Sequence, residues 1–152
     1  MSYHRYTTDG FGVCVNDLEG IDEQKTFELL KYAPKAEKNF FEFLEKEGIV
    51  PEELSMDILD DYEIKSACGI GTGICAILWD VIWETEDIDL YIAHDVGGVQ
   101  YLLFCPVYPW SNVTQAERSM TKERMEEIFR KYIGVLTSVP FDVDYYSVEN
   151  GG

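Results

Sequence analysis

From Phe11 to Asn16 apolar Phe11, Val13 and Val15 alternate with Gly12, Cys14 and Asn16, and this period of two predicts a strand. Gly20 closes it, and Asp22 is placed to cap a helix from Glu23 to about Tyr32. Pro34 opens a second helix, because proline tolerates the first turn, where its missing N–H has no partner to lose. Phe40, Phe43 and Leu44 form its apolar stripe, and Gly48 stops it after Glu47. Pro51 starts a third, short segment to about Asp60, with Leu54, Ile58 and Leu59 inward and the acids outward.

Gly69, Gly71 and Gly73 read as a loose joint. Beyond it Ile74, Ile77, Leu78, Val81 and Ile82 repeat at helical spacing, and Ala76, Trp79 and Trp83 extend the apolar surface nearly all round. That pattern predicts a central, buried helix. Ile88–His94 and Val99–Cys105 read as two strands joined by Asp95-Val96-Gly97-Gly98, a hairpin loop whose glycines take positive φ at little cost. Pro106 and Pro109 end the second strand. Met125, Ile128, Phe129, Tyr132 and Leu136 make one stripe of a last helix, with Glu126–Arg130 and Glu127–Lys131 as i, i+4 pairs opposite. A final strand is expected over Phe141–Val148. The order β-ααα-α-β-β-α-β predicts an α+β fold: an antiparallel sheet of about four strands with helices packed on one face.

Composition then sets the scale. The chain of 152 residues is 46% hydrophobic, too apolar for a disordered acidic tail. Residues 1–152 are expected to form a single globular domain with a short flexible C-terminal tail, Ser147–Gly152. The start lacks an apolar run behind a basic flank, and the most apolar stretch, Ile74–Trp83, is interrupted by Asp80 and is too short for a bilayer. The expectation is a cytoplasmic protein whose Cys14, Cys68, Cys75 and Cys105 are free thiols, leaving the Asn112-Val113-Thr114 sequon without relevance.

Charge narrows the partners. Asp and Glu number 29 against 12 Lys and Arg, a net charge of −17, and no Lys or Arg occurs from Ser66 through Glu117. Such a surface repels nucleic acid and anionic membranes and steers basic proteins toward it. The acid is densest over Glu42, Glu45, Glu52, Glu53, Asp57, Asp60, Asp61 and Glu63. Carboxylates three or four residues apart on a helix lie roughly 5–6 Å from each other, comparable to successive backbone phosphates. The array therefore makes a candidate partner-binding face that mimics nucleic acid, weighed against ordinary solvated surface. Glu84, Glu86, Asp87 and Asp89 are possible contributors.

Other chemistry is thinner. The alternating acids of a calcium loop and the close Cys-x-x-Cys pairs of structural zinc are missing, so neither metal nor cofactor is expected. His94-Asp95 with a cysteine is arithmetically a triad, but no basic neighbour would activate a thiol. Gly69-Ile70-Gly71-Thr72-Gly73 lacks a lysine for phosphate and reads instead as a close approach of backbone to backbone. Tyr101, Phe104, Tyr108 and Trp110 form an aromatic cluster, of which Tyr108 and Trp110 are an alternative anchor for a protein partner. The terminal Gly-Gly resembles what ubiquitin-like carriers present for activation, but the length and helices do not suit that small fold.

The stretch Gly73–Ile82, the run Tyr101–Phe104 with Tyr108-Pro109-Trp110, and the end Asp144–Gly152 together resemble a group of small acidic proteins of prophages and mobile elements in gut anaerobic bacteria. The resemblance spans roughly the second half of the chain and its motifs are structural. It implies a context: inhibitors of host defence, including anti-CRISPR and anti-restriction proteins that imitate nucleic acid. The leading expectation is thus a non-enzymatic inhibitor that binds a basic nucleic-acid-binding defence protein. The alternative is an adapter or regulator that binds through the aromatic surface, the acid serving only solubility.

Overall fold

The computed structural model describes residues 6–150. β1 spans Tyr6–Cys14, β4 Tyr91–His94, β5 Gln100–Phe104 and β6 Asp144–Asn150, and these four form one antiparallel sheet in the order β4-β5-β1-β6. β2 (Glu63–Ser66) and β3 (Gly69–Thr72) make a separate two-stranded hairpin. The helices are α1 (Lys25–Leu30), α2 (Pro34–Lys46), α3 (Met56–Asp60), α4 (Ile74–Glu86), α5 (Gln115–Arg118) and α6 (Lys122–Leu136). The architecture is α+β, as the alternation of periodicities predicts.

Period-two alternation assigns the two faces of the sheet. Phe11, Val13, Ile92 and Leu102 point into the main core, where they meet α1, α2, α4 and α6. Ala93, Leu103 and Val148 form a small second cluster on the opposite face, joined by Tyr101, Cys105 and Tyr146 and by no helical residue. The helices therefore cover one face. Gly12 shows how tightly the strands pack: a Cβ there would lie 1.9 Å from the Leu102 carbonyl oxygen.

α4 is the buried axis of the helical layer. Ile74 through Trp79, Val81 and Ile82 are all buried, and the Trp79 indole N–H donates to the Leu90 carbonyl at 2.7 Å. That bond matters because a buried indole donor without a partner is costly. On α2 the stripe of Ala36, Phe40 and Leu44 is buried, and Phe40 meets Tyr62 edge-on at 5.1 Å between ring centroids. On α6 the stripe from Met125 to Leu136 is buried as its spacing predicts. The Glu126–Arg130 pair forms at 3.2 Å. The second expected pair does not: Glu127 takes Arg124 at 3.3 Å, and the Lys131 ammonium lies over the rings of Tyr32 and Tyr132.

Several expected boundaries move. β1 begins at Tyr6, five residues before the alternation becomes visible, because Tyr6–Gly10 owe their extension to pairing with β6. β6 starts at Asp144 and runs to Asn150, so Ser147–Asn150 are strand paired with Tyr6–Asp9 and not a flexible tail; Gly151 and Gly152 lie outside the described residues. The segment after Pro51 divides into a 3-10 turn, Pro51–Glu53, and α3, whose Ser55 cap accepts from the Ile58 N–H. α5 carries a capping box between Thr114 and Glu117.

The glycine joint is the largest correction. Gly69–Thr72 is strand β3, which packs against both α4 and β4. Gly69, at φ +128°, approaches so closely that a Cβ would fall 2.4 Å from the Ile92 carbonyl oxygen, and the Ile92 N–H donates to the Cys68 carbonyl at 2.9 Å. The backbone-to-backbone approach expected from these glycines is present, but inside a docked hairpin.

Candidate acidic and aromatic interaction surfaces

The end of α2, the 3-10 turn, α3 and the start of β2 carry the eight clustered acids. An amphipathic helix buries one stripe and turns the rest to water; Phe40 and Leu44 are inward, so Glu42 and Glu45 are outward. Leu54 and Leu59 anchor the following turn and α3, leaving Glu52, Glu53, Asp57, Asp60 and Asp61 exposed. Glu63 is exposed on β2 and lies 3.8 Å from the Lys65 ammonium. Among the described residues the other seven have no ion-pair partner. Burial first, then the charges of Asp57 and Asp61, push the Asp60 carboxyl above its ordinary value. Asp60 therefore stands in the field of both neighbouring carboxylates.

Two of the four additional acids considered with this face are otherwise engaged. The Glu84 carboxylate accepts the N–H groups of Lys35 at 3.1 Å and Ala36 at 2.9 Å, closing the first turn of α2 from a neighbouring helix. Glu86 accepts from the Arg124 guanidinium at 2.8 Å and from the Tyr132 hydroxyl at 3.0 Å. These two are structural. Asp87, at φ 58°, ends α4 in the left-handed region, and exposed Asp89 donates its N–H to Glu117.

Sequence reasoning places Tyr108 and Trp110 in an aromatic corner; the structure adds their arrangement. The two rings stack 5.1 Å apart at an interplanar angle of 4°, with Trp110 81% exposed. The turn beneath them is braced: the Ser111 N–H donates to the Tyr108 carbonyl at 2.9 Å, and the Tyr108 N–H donates to the Ser111 hydroxyl at 3.1 Å. Arg118 donates to the carbonyls of Tyr108 and Ser111, at 2.9 and 2.6 Å. The signal that could have located this brace is Thr114-x-x-Glu117, a capping box that puts Arg118 on a short helix. The two expected surfaces are separate in sequence and belong to different elements. Tyr101 and Phe104, the other members of the expected cluster, face opposite sides of the sheet: Tyr101 stands with Tyr146 behind it and Phe104 packs on the helical core.

Of the groups considered for nucleophilic chemistry, His4 lies outside the described residues, and all four thiols hold their protons more tightly than usual. Burial pushes the Cys68 and Cys75 thiols up to about 12 and Cys105 to about 11, and it also raises Cys14. A protonated thiol is a poor nucleophile. His94 is engaged at the end of β4: its Nε2 hydrogen-bonds the Ile70 carbonyl, which ties β4 to the small hairpin. Among the described residues no group of three or more His, Cys, Asp or Glu side chains could hold a metal ion, and no helix is long and apolar enough to cross a membrane.

No protein-family model matches the chain, and no curated protein and no solved structure matches it either.

Proposed function

We propose that the chain is a non-enzymatic binding protein of a phage or mobile element that occupies the nucleic-acid groove of a basic defence protein, in the manner of an anti-CRISPR or anti-restriction inhibitor. The observation that carries this reading is the state of the acidic face: eight exposed carboxylates in a row of consecutive elements, seven without an ion-pair partner among the described residues. Carboxylates left unneutralised at a net charge of −17 repel each other, and a basic groove relieves that repulsion on binding. Their attraction speeds association, and desolvated pairs with Arg or Lys slow release.

The test is a combined reversal, Glu53→Lys, Asp57→Lys, Asp60→Lys and Asp61→Lys, at exposed positions, of which Asp60 also lies against Gly73. Partners from a host lysate are captured on wild-type and variant protein and washed at about 0.1 M and about 1 M salt, where screening lengths are roughly 10 and 3 Å. A basic nucleic-acid-binding protein held by the wild type at low salt and lost with the reversal agrees with mimicry. Retention of that partner by a folded variant rules it out.

A second reading, an adapter that uses the aromatic turn, is favoured by the stacked, braced pair of Tyr108 and Trp110. Binding would then survive high salt and disappear with Tyr108→Ala and Trp110→Ala.

A further inference from the structure

Where the helical layer ends, an open cleft of about 350 Å³ remains between β1, β6 and the start of α6. Its walls are apolar: Phe11 and Phe104 from the sheet, Met120 and Met125 from the helical side, and Tyr145 at the rim. This volume and lining suit a small ligand held by apolar contact and oriented by a few polar groups. Two charged side chains supply those groups. Lys122 places its ammonium 5.6 Å from the ring centroids of both Phe11 and Tyr145. Asp9 lines the same cleft and accepts a hydrogen bond from the Ser147 hydroxyl.

Lys122 and Asp9 do not pair with each other, and among the described residues neither has any ion-pair partner. Lys31, Lys35, Lys38 and Lys46 are also without an ion pair among the described residues; Lys122 differs from them in lining an apolar cleft together with a carboxylate. A simple anion would meet Asp9, and a simple cation would meet Lys122. A ligand carrying both charges on an apolar body satisfies both. We infer that the cleft binds a small apolar zwitterion, an α-amino acid with an aromatic or branched side chain. Its carboxylate faces Lys122, its ammonium faces Asp9, and its side chain lies among Phe11, Phe104 and Met125.

The inference is independent of the acidic face, and its test needs no macromolecular partner. Isotope-labelled protein is titrated at low salt with L-phenylalanine, 3-phenylpropionate and phenethylamine, and the resonances of Phe11, Met125 and Tyr145 are followed. Phenylalanine is expected to shift them and to bind about fivefold more tightly than either singly charged analogue, the scale of one exposed ion pair. Lys122→Met, which keeps the stem over the rings, should equalise phenylalanine and phenethylamine. Asp9→Asn, which keeps an acceptor for Ser147, should equalise phenylalanine and 3-phenylpropionate. If either analogue matches phenylalanine on the wild type, or none of the three shifts these resonances at millimolar concentration, the inference fails.

Discussion

Asp80 is a half-buried carboxylate on α4, the buried axis of the fold, and replacing it with asparagine should stabilise the protein at neutral pH. Its neighbours on α4, Trp79 and Val81, are buried, and among the described residues its side chain has no hydrogen bond or ion pair. Burial first, then the charge of Glu84, pushes its carboxyl above the ordinary value of 3.8. Glu84 stands one turn along the same helix and cannot swing away, because two N–H groups of α2 hold its carboxylate at 3.1 and 2.9 Å. Like charges four residues apart on a helix cost about 0.2–0.5 kcal/mol, and partial burial of Asp80 adds to that cost. Asp80→Asn should therefore gain about 0.5 kcal/mol, or roughly 1–2 °C in Tm for a chain of this size.

The sign with pH follows from the raised value. A carboxyl that holds its proton more tightly in the folded state favours folding below the unfolded value, and that contribution is lost as pH rises through the folded value. The advantage of Asp80→Asn is accordingly absent below about 3.8, grows above it and is complete at neutral pH. Urea unfolding of both proteins at pH 3 and pH 7 measures it. The same substitution made on Glu84→Gln should gain less, since half of the repelling pair is already neutral. A variant that is less stable at pH 7, or equally more stable at pH 3 and pH 7, refutes the reasoning.

Two further outcomes concern the interior. Thr26 is fully buried with no hydrogen-bond partner for its hydroxyl oxygen among the described residues, so Thr26→Val, which keeps the shape and removes an unsatisfied group, should raise unfolding stability by about 1 kcal/mol in denaturant titration. With Cys68 and Cys75 at about 12 and Cys105 at about 11, the native protein should resist iodoacetamide at pH 8 and label fully once urea unfolds it, as read by intact mass. Rapid labelling of Cys68 or Cys105 in the folded state would show that burial does not suppress their thiolates.

The elements legible in the sequence are those that bury a stripe against the core. α4 and α6 declare themselves through spacing alone, and Pro34 marks the first residue of α2 because it has no N–H to satisfy there. The paired strands around Asp95–Gly98 are equally visible, since the turn and the alternation are both local. The β2–β3 hairpin is not: Gly69 and Gly71 carry no side chain from which alternation could be read. Tyr6–Gly10, Glu149 and Asn150 likewise lie outside the alternation that the sequence shows, and join the strands through pairing, Tyr6 with Asn150 and Thr7 with Glu149.

The interaction surfaces divide along the same line. Composition and spacing by themselves determined that the chain is strongly acidic, that the acid is concentrated over Glu42–Glu63, and that those carboxylates lie outside the apolar stripes of their helices. What only tertiary structure decided is which acids are spoken for and which side chains meet. Glu84 and Glu86 look in sequence like Glu52 and Glu53, yet they are bound by α2 and α6. The turn that carries the stacked Tyr108 and Trp110 is braced by Arg118 of α5, and the cleft is lined jointly by Asp9 of β1 and Lys122 of α6. Burial is governed by local periodicity, which one stretch of chain carries within itself. Pairing is governed by distance across the fold, and that exists only once the chain has closed upon itself.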